Sequence, residues 1–139
     1  AIPPSLGEMI DVYSLDVSNN SLSGELPDHL AIGCVNLTSL KLSNNYLEGK
    51  LLPENSNLKK LQSLHLDNNR FSGSISKSIL NSTRLSLLDI SQNAVTGGIP
   101  DWIGELRGLS SLVLSHNSLE GPVPTGLCQL SQLRYLDLS

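Results

Sequence analysis

The sequence predicts an α/β repeat fold: a right-handed solenoid with a parallel β-sheet along its concave face and turns or short helices along its convex face. Three observations predict it. A leucine recurs at Leu15, Leu40, Leu64, Leu88 and Leu112, with successive spacings of 25, 24, 24 and 24 residues. Apolar and polar residues alternate around each of these leucines. Downstream of each stands an asparagine, followed four residues later by a glycine. A period of this length marks supersecondary units that bury their apolar faces by stacking on one another.

The recurring pattern reads Leu-x-x-Leu-x-Leu-x-x-Asn-x-Leu-x-Gly-x-Ile-Pro, a leucine-rich repeat. One array is expected over 1–139, with a partial unit at 1–11, repeats starting at Val12, Leu37, Leu61, Leu85 and Leu109, and a partial unit over 133–139. Neither end carries a polar or cysteine-clamped cap of the kind that shields a solenoid's terminal edges. The chain is therefore expected to be a segment of a longer array.

Each repeated position has a physical role. The alternation in Leu15-Asp16-Val17, Leu40-Lys41-Leu42, Leu64-His65-Leu66, Leu88-Asp89-Ile90 and Leu112-Val113-Leu114 is that of a short strand with one face inward. Asn20, Asn45, Asn69, Asn93 and Asn117 stand where the chain turns away from the strand. Their amides can satisfy backbone groups of their own turn and of the neighbouring one. Gly24, Gly49, Gly73, Gly97 and Gly121 suit a positive φ or a close approach. Leu26-Pro27, Ile99-Pro100 and Val123-Pro124 follow, with departures at Leu51-Leu52-Pro53 and Ile75-Ser76. Proline cannot donate to a central ladder, so these pairs suit an edge-like segment on the side of the coil. Asp101 to Arg107 is expected to form a convex turn or short helix, with Ile103 and Leu106 facing in.

Composition narrows the function classes. With 139 residues, a net charge of −4, 39% hydrophobic and 4% aromatic residues, the chain reads as one soluble unit. It contains no membrane-spanning apolar stretch and no signal-peptide pattern. The scattered Lys and Arg give no footprint for nucleic acid. Cys34 and Cys128 fall four coils apart, roughly 20 Å at about 4.8 Å per strand, so two free, part-buried thiols are expected.

The Gly-x-Ile-Pro extension, the 24-residue unit and strands such as Leu-Asp-Leu-Ser and Leu-Asp-Ile-Ser resemble the plant-specific class of leucine-rich repeats. That class builds the ectodomains of plant receptor-like proteins and receptor-like kinases. Local wording such as Ile99-Pro100-Asp101-Trp102-Ile103-Gly104, Leu119-Glu120-Gly121 and Gly126-Leu127-Cys128 leans towards receptor-like proteins. The resemblance implies an extracellular segment of a plasma-membrane receptor that recognises a peptide or protein ligand in defence or developmental signalling, beside a co-receptor kinase. It implies no cofactor. The alternative from the same repeat class is a secreted inhibitor of a microbial cell-wall-degrading enzyme, similar to polygalacturonase-inhibiting proteins. Sequons at Asn19, Asn36 and Asn81 agree with a secreted glycoprotein. Asn36 and Asn81, on the convex half, are the better candidates; Asn19 lies on the ligand face.

The invariant letters build scaffold, so ligand recognition is expected where the outward strand letters vary. One column runs Asp16, Lys41, His65, Asp89, Val113, Asp137 and its neighbour Ser14, Ser39, Ser63, Leu87, Ser111, Tyr135. Leu87, Val113 and Tyr135 are expected to form an exposed apolar patch, with His65, Asp67, Asp89 and His116 as polar readers. Catalysis is not expected. Ser63, His65 and Asp89 occur in an order like that of a triad, but residues two apart on a strand stand about 6.5 Å apart, beyond hydrogen-bond reach. No metal site is expected from His29, His65 and His116, which occupy different repeats and columns. A flat threonine-rich face, as an ice-binding solenoid would need, is absent.

Overall fold

The computed structural model describes residues 1–139. Eleven short strands alternate between two sheets: β1 (Ser14–Asp16), β2 (Ser23–Glu25), β3 (Ser39–Lys41), β4 (Tyr46–Gly49), β5 (Ser63–His65), β6 (Arg70–Gly73), β7 (Leu87–Asp89), β8 (Ala94–Gly97), β9 (Ser111–Val113), β10 (Ser118–Leu119) and β11 (Tyr135–Asp137). The odd strands form a six-stranded parallel sheet in the order β1-β3-β5-β7-β9-β11. Its register sets equivalent residues side by side, with Leu40 beside Leu64 and Leu88 beside Leu112. Strands of three residues carry few bonds each, so the sheet is held mainly by the face it buries. Leu40, Leu64, Leu88 and Leu112 have no exposed surface and belong to one continuous cluster of 27 buried residues that runs the length of the array.

The even strands form a second parallel sheet, five-stranded, in the order β10-β8-β6-β4-β2. Sequence reading expected only an edge-like segment on the side of each coil. The difference arises because the segment just before each Ile-Pro position still carries backbone N–H and C=O groups, and the stacking that aligns the first sheet brings those groups into register as well. Strands β4, β6 and β8 end at the repeat glycine, β2 runs one residue past it and β10 stops two residues short. The glycine's φ is positive in all five coils, between 77° and 87°. At Gly73 a Cβ would meet nothing within 4 Å. The constraint there is the backbone conformation and not space.

The ladder asparagines join the two sheets. Asn69 Nδ2 reaches Leu42 O at 2.9 Å, Leu66 O at 3.2 Å and Asp67 O at 3.1 Å, while its Oδ1 accepts the Leu47 N–H at 3.0 Å. Asn45, Asn93 and Asn117 repeat this set in their own coils. Asn20 donates only to Val17 O and Ser18 O, because β1 is the edge strand of its sheet and no concave strand precedes it in the structure.

Convex segments begin at the Pro positions. Pro3, Pro27, Pro100 and Pro124, and Ser76 in their place, hold extended φ and ψ just before a helix. Four are single 3-10 turns: Pro4–Glu8, Lys77–Asn81, Asp101–Glu105 and Thr125–Gln129. Ile103 and Leu106 point into the core. The unit starting at Val12 is one residue longer, and the surplus lies between Pro27 and Leu37. It is absorbed by a true α-helix, α1 (Asp28–Gly33), closed by the Cys34 N–H on Leu30 O where the other coils close three residues back. Leu52 takes the place of the proline in its coil. It is buried, and its N–H, which a proline would lack, donates to Ser76 Oγ at 3.3 Å. Where 3-10 turns meet on the convex face, Gly126 lies against the Asp101 backbone so closely that no Cβ would fit.

The cysteines correct one expectation. Both are free, but neither is half-buried: Cys34 is buried at the end of α1 and Cys128 is exposed. Cys34 stands at the inward position that Leu58, Ser82, Leu106 and Leu130 fill in the other coils, and Cys128 sits two residues earlier on the outside. Cys34 Sγ donates to Leu6 O at 3.2 Å, and burial pushes its thiol above the ordinary value.

Two expected outcomes follow from this packing. Asn69→Ala leaves three carbonyls and one N–H without their amide partner and should cost about 1 to 3 kcal/mol, whereas Asn20→Ala, which strips two exposed bonds, should cost less. Urea denaturation would show equal losses if the inter-coil bonds did not matter. Alkylation of the native chain should modify one thiol, Cys128, and reach Cys34 only on unfolding, because reactivity follows exposed thiolate. Mass spectrometry finding Cys34 labelled first would contradict the burial.

Candidate ligand-recognition face

The concave sheet positions the candidate residues through its register. Side chains at alternate strand positions face outward, so each outward position forms a column across six strands about 4.8 Å apart. His65 lies beside Asp89, and Asp89 beside Val113; Ser63 lies beside Leu87, and Leu87 beside Ser111. Leu87 and Val113 are therefore diagonal neighbours on β7 and β9. Tyr135, beside Ser111 on β11, is diagonal to Val113. Tyr135 is exposed, while Leu87 and Val113 are half-buried. The apolar patch is thus a staggered line across three strands, with one projecting ring at its end.

His65, Asp67 and Asp89 converge: one ligand-capable atom from each lies within 4.8 Å of the other two. Asp67 stands in the next outward column, which otherwise reads Ser18, Ser43, Ser91, Ser115 and Ser139. Its Oδ1 accepts Ser43 Oγ at 2.6 Å. Asp89 Oδ1 accepts the N–H and hydroxyl of Ser91, at 3.0 and 2.6 Å. Ser63 Oγ contacts Ser39 Oγ at 3.2 Å and makes no hydrogen bond with His65.

His116 is not part of this cluster. It is exposed and sits one position further along its coil, two coils away from Asp67. Its φ of 55° places it in the left-handed region, together with Asn19, Asn44, Asn68 and Gln92 at the equivalent positions. That conformation lets each residue's N–H continue the ladder to the next coil, as from Asn68 to Ser91 O at 2.9 Å. It also lines up a second row of amides that sequence reasoning missed: Asn68 Nδ2 reaches Asn44 Oδ1 at 2.6 Å, and Asn44 Nδ2 reaches Asn19 Oδ1 at 2.8 Å. The signal was present in the Asn-Asn pairs 19–20, 44–45 and 68–69, because asparagine tolerates the left-handed region better than most residues. Two of the sequon asparagines, Asn36 and Asn81, use Nδ2 to bond Ile10 O at 2.7 Å and Ser56 O at 2.9 Å. Asn19 Nδ2 has no such bond.

Sequence profiles of the leucine rich repeat match residues 59–119 and 83–139, and a second profile matches 11–31 and 36–58. Together with the stacked parallel sheet, this shows that the chain belongs to the leucine-rich-repeat family. Its coils are those of a plant leucine-rich-repeat receptor ectodomain. "Receptor-like protein 13" of Arabidopsis thaliana is 48% identical over 60 residues, which is 43% of this chain and 6% of that protein. The ectodomain of the Arabidopsis thaliana receptor kinase GASSHO1/SCHENGEN3, solved with CASPARIAN STRIP INTEGRITY FACTOR 2, superposes with a TM-score of 0.95 at 39% identity over 99% of this chain and 17% of that one. The Arabidopsis receptor kinase HAESA, solved with the peptide hormone IDA and the co-receptor SERK1, gives 0.93 at 33% identity over 99% of this chain and 23% of that one. The chain thus spans a small part of each relative. No helix is long and apolar enough to cross a membrane.

The serine column makes a titration prediction. The hydroxyl of Ser139, and next its N–H, hold the Asp137 carboxyl below the usual carboxylate range, at 2.8 and 3.1 Å. A pKa lowered by folding stabilises the folded state above the unfolded value of about 3.9 and is lost as the pH falls through the folded value. NMR titration of the Asp137 carboxyl should give a midpoint below about 3.9, and Ser139→Ala should raise it. A midpoint unmoved by that change would show that the hydroxyl is not the cause.

Proposed function

We propose that this chain recognises a peptide or protein ligand along its concave face, from the third strand of the sheet to the sixth, as part of the extracellular portion of a plant cell-surface receptor. The receptor would act in defence or developmental signalling with a co-receptor kinase. The observation that carries this reading is the break in the outward columns. Strands β1, β3 and β5 present Ser14, Ser39 and Ser63 in one column, whereas β7 and β11 present Leu87 and Tyr135 there, with Val113 staggered between them. An apolar anchor flanked by polar groups suits a peptide that lies across the strands, its apolar side chain on Leu87 and Val113 and its polar groups toward His65, Asp67 and Asp89.

Binding is favoured over catalysis as the reading of this face by Ser63, whose hydroxyl bonds Ser39 Oγ at 3.2 Å and not the His65 imidazole. The solved relatives support the ligand class, since GASSHO1/SCHENGEN3 was solved with CASPARIAN STRIP INTEGRITY FACTOR 2, and HAESA with the peptide hormone IDA and the co-receptor SERK1.

The test is retention of synthetic secreted-peptide libraries on the immobilised intact protein. Leu87→Asp combined with Val113→Asp should reduce retention of bound peptides at least about tenfold, as expected when a central apolar anchor worth about 2 kcal/mol or more is lost. Lys77→Glu, on the convex face, should leave it unchanged. Equal retention by the concave double variant and the parent would refute the concave reading.

A further inference from the structure

The coils of this chain provide an internal reference against which one coil departs twice. Three strands end in Asp-x-Ser: Asp16-Val17-Ser18, Asp89-Ile90-Ser91 and Asp137-Leu138-Ser139. In each, the aspartate accepts the serine N–H, at 3.0, 3.0 and 3.1 Å. The coil of β5 reads His65-Leu66-Asp67 instead. It places an imidazole in the aspartate column and a carboxylate in a column that is serine in every other coil. Parallel pairing of β5 with β7 then sets His65 directly beside Asp89. Neither exchange serves the repeat, since Ser43 and Ser91 show that serine suffices at the position of Asp67.

The outcome is a mixed donor set with unused valence. One atom from each of His65, Asp67 and Asp89 lies within 4.8 Å of the others, and all three side chains are half-buried. Each carboxylate spends Oδ1 on a serine, Asp67 on Ser43 and Asp89 on Ser91, and its second oxygen makes no protein hydrogen bond. The imidazole of His65 makes none either. No cationic side chain pairs with the two carboxylates; the chain's one salt bridge, Lys50–Glu54, lies elsewhere. Lys41 is beside His65 on the side away from Asp89, and its ammonium is exposed.

We propose that His65, Asp67 and Asp89 bind a divalent first-row transition ion of the Zn2+ type on the concave face. One imidazole nitrogen with two carboxylate oxygens is a borderline donor set. It suits Zn2+, Co2+ or Mn2+ better than Ca2+, which takes six to eight oxygens, or Cu+, which prefers sulfur. Ligand bonds of about 2.0 to 2.2 Å put donor atoms roughly 3.0 to 3.5 Å apart. An ion would draw the donors in from their present spread of up to 4.8 Å. Ser43 and Ser91 serve as the outer partners that orient the two carboxylates, as metal-ligating groups require. Three protein ligands leave at least one coordination position open to the trough, to be filled by water. This site stands independently of the peptide-recognition reading, since metal binding is measured with no peptide present.

The experiment is calorimetric titration of the intact chain with ZnCl2, repeated with Asp67→Ser, His65→Asn and Asp89→Asn, and paired with histidine NMR. Asp67→Ser restores the residue of the other coils, so its circular dichroism and urea midpoint should match the parent and keep the test free of folding failure. The expected result is one saturable ion per chain, affinity lowered at least about tenfold in each variant, and ring shifts confined to His65. Absence of saturable binding by about 1 mM Zn2+, which corresponds to about 4 kcal/mol, would overturn the proposal. So would binding that survives Asp67→Ser intact, or shifts at His29 or His116 instead, since the ion would then sit elsewhere.

Discussion

The interaction on which the rest of this structure depends is the four-way bonding of the ladder asparagine. Each Asn69-type amide contacts two carbonyls of its own turn and one of the preceding coil, and accepts an N–H from the second sheet of that preceding coil. A turn that left those backbone groups bare would cost about 1 to 3 kcal/mol for each buried group without a partner. With them satisfied, the chain can leave the concave strand sharply and begin the second sheet within a few residues. That fixed angle sets the left-handed residue before each ladder asparagine, the pitch between coils and the straight columns of outward side chains.

Straight columns turn single substitutions into local chemistry. Because the backbone repeats almost identically, an exchange in one coil appears on the surface as a difference from its neighbours with no change of framework. His65 and Asp67 exploit this in the coil of β5, and Leu87 and Tyr135 in those of β7 and β11. A charged and metal-competent cluster thus abuts an apolar line. The convex side is held differently, by Pro-initiated turns, close glycine contacts and the α-helix that absorbs the surplus residue of the first complete coil. Variation there is structural accommodation and leaves the concave face untouched.

The period, the inward leucines and the amide ladder were legible because each is enforced by a contact that every coil repeats. The second sheet was not, since each of its strands carries at most one fully buried apolar residue, Leu47 in β4, Phe71 in β6 and Val95 in β8, which is too short an alternation to mark a strand without the register that the first sheet sets. The cysteines show the same limit in a smaller way. Their spacing gave their separation, but Cys34 and Cys128 differ in burial because they occupy different convex positions, three and five residues before the next repeat start, of which only the first points inward. The staggering of Leu87, Val113 and Tyr135, by contrast, was already legible, since Val113 stands in one column and Leu87 and Tyr135 in its neighbour.

The sequence by itself determined the solenoid and its family, because a repeat must satisfy the same burial and hydrogen-bond demands in every coil. Only the tertiary structure decided which outward positions meet. It drew Asp67 toward His65 and Asp89 and left His116 two coils away, because the side chains of adjacent coils are brought together by strand register and by the turn after each strand. Both are properties of stacked coils, and neither can be read from a single coil's residues.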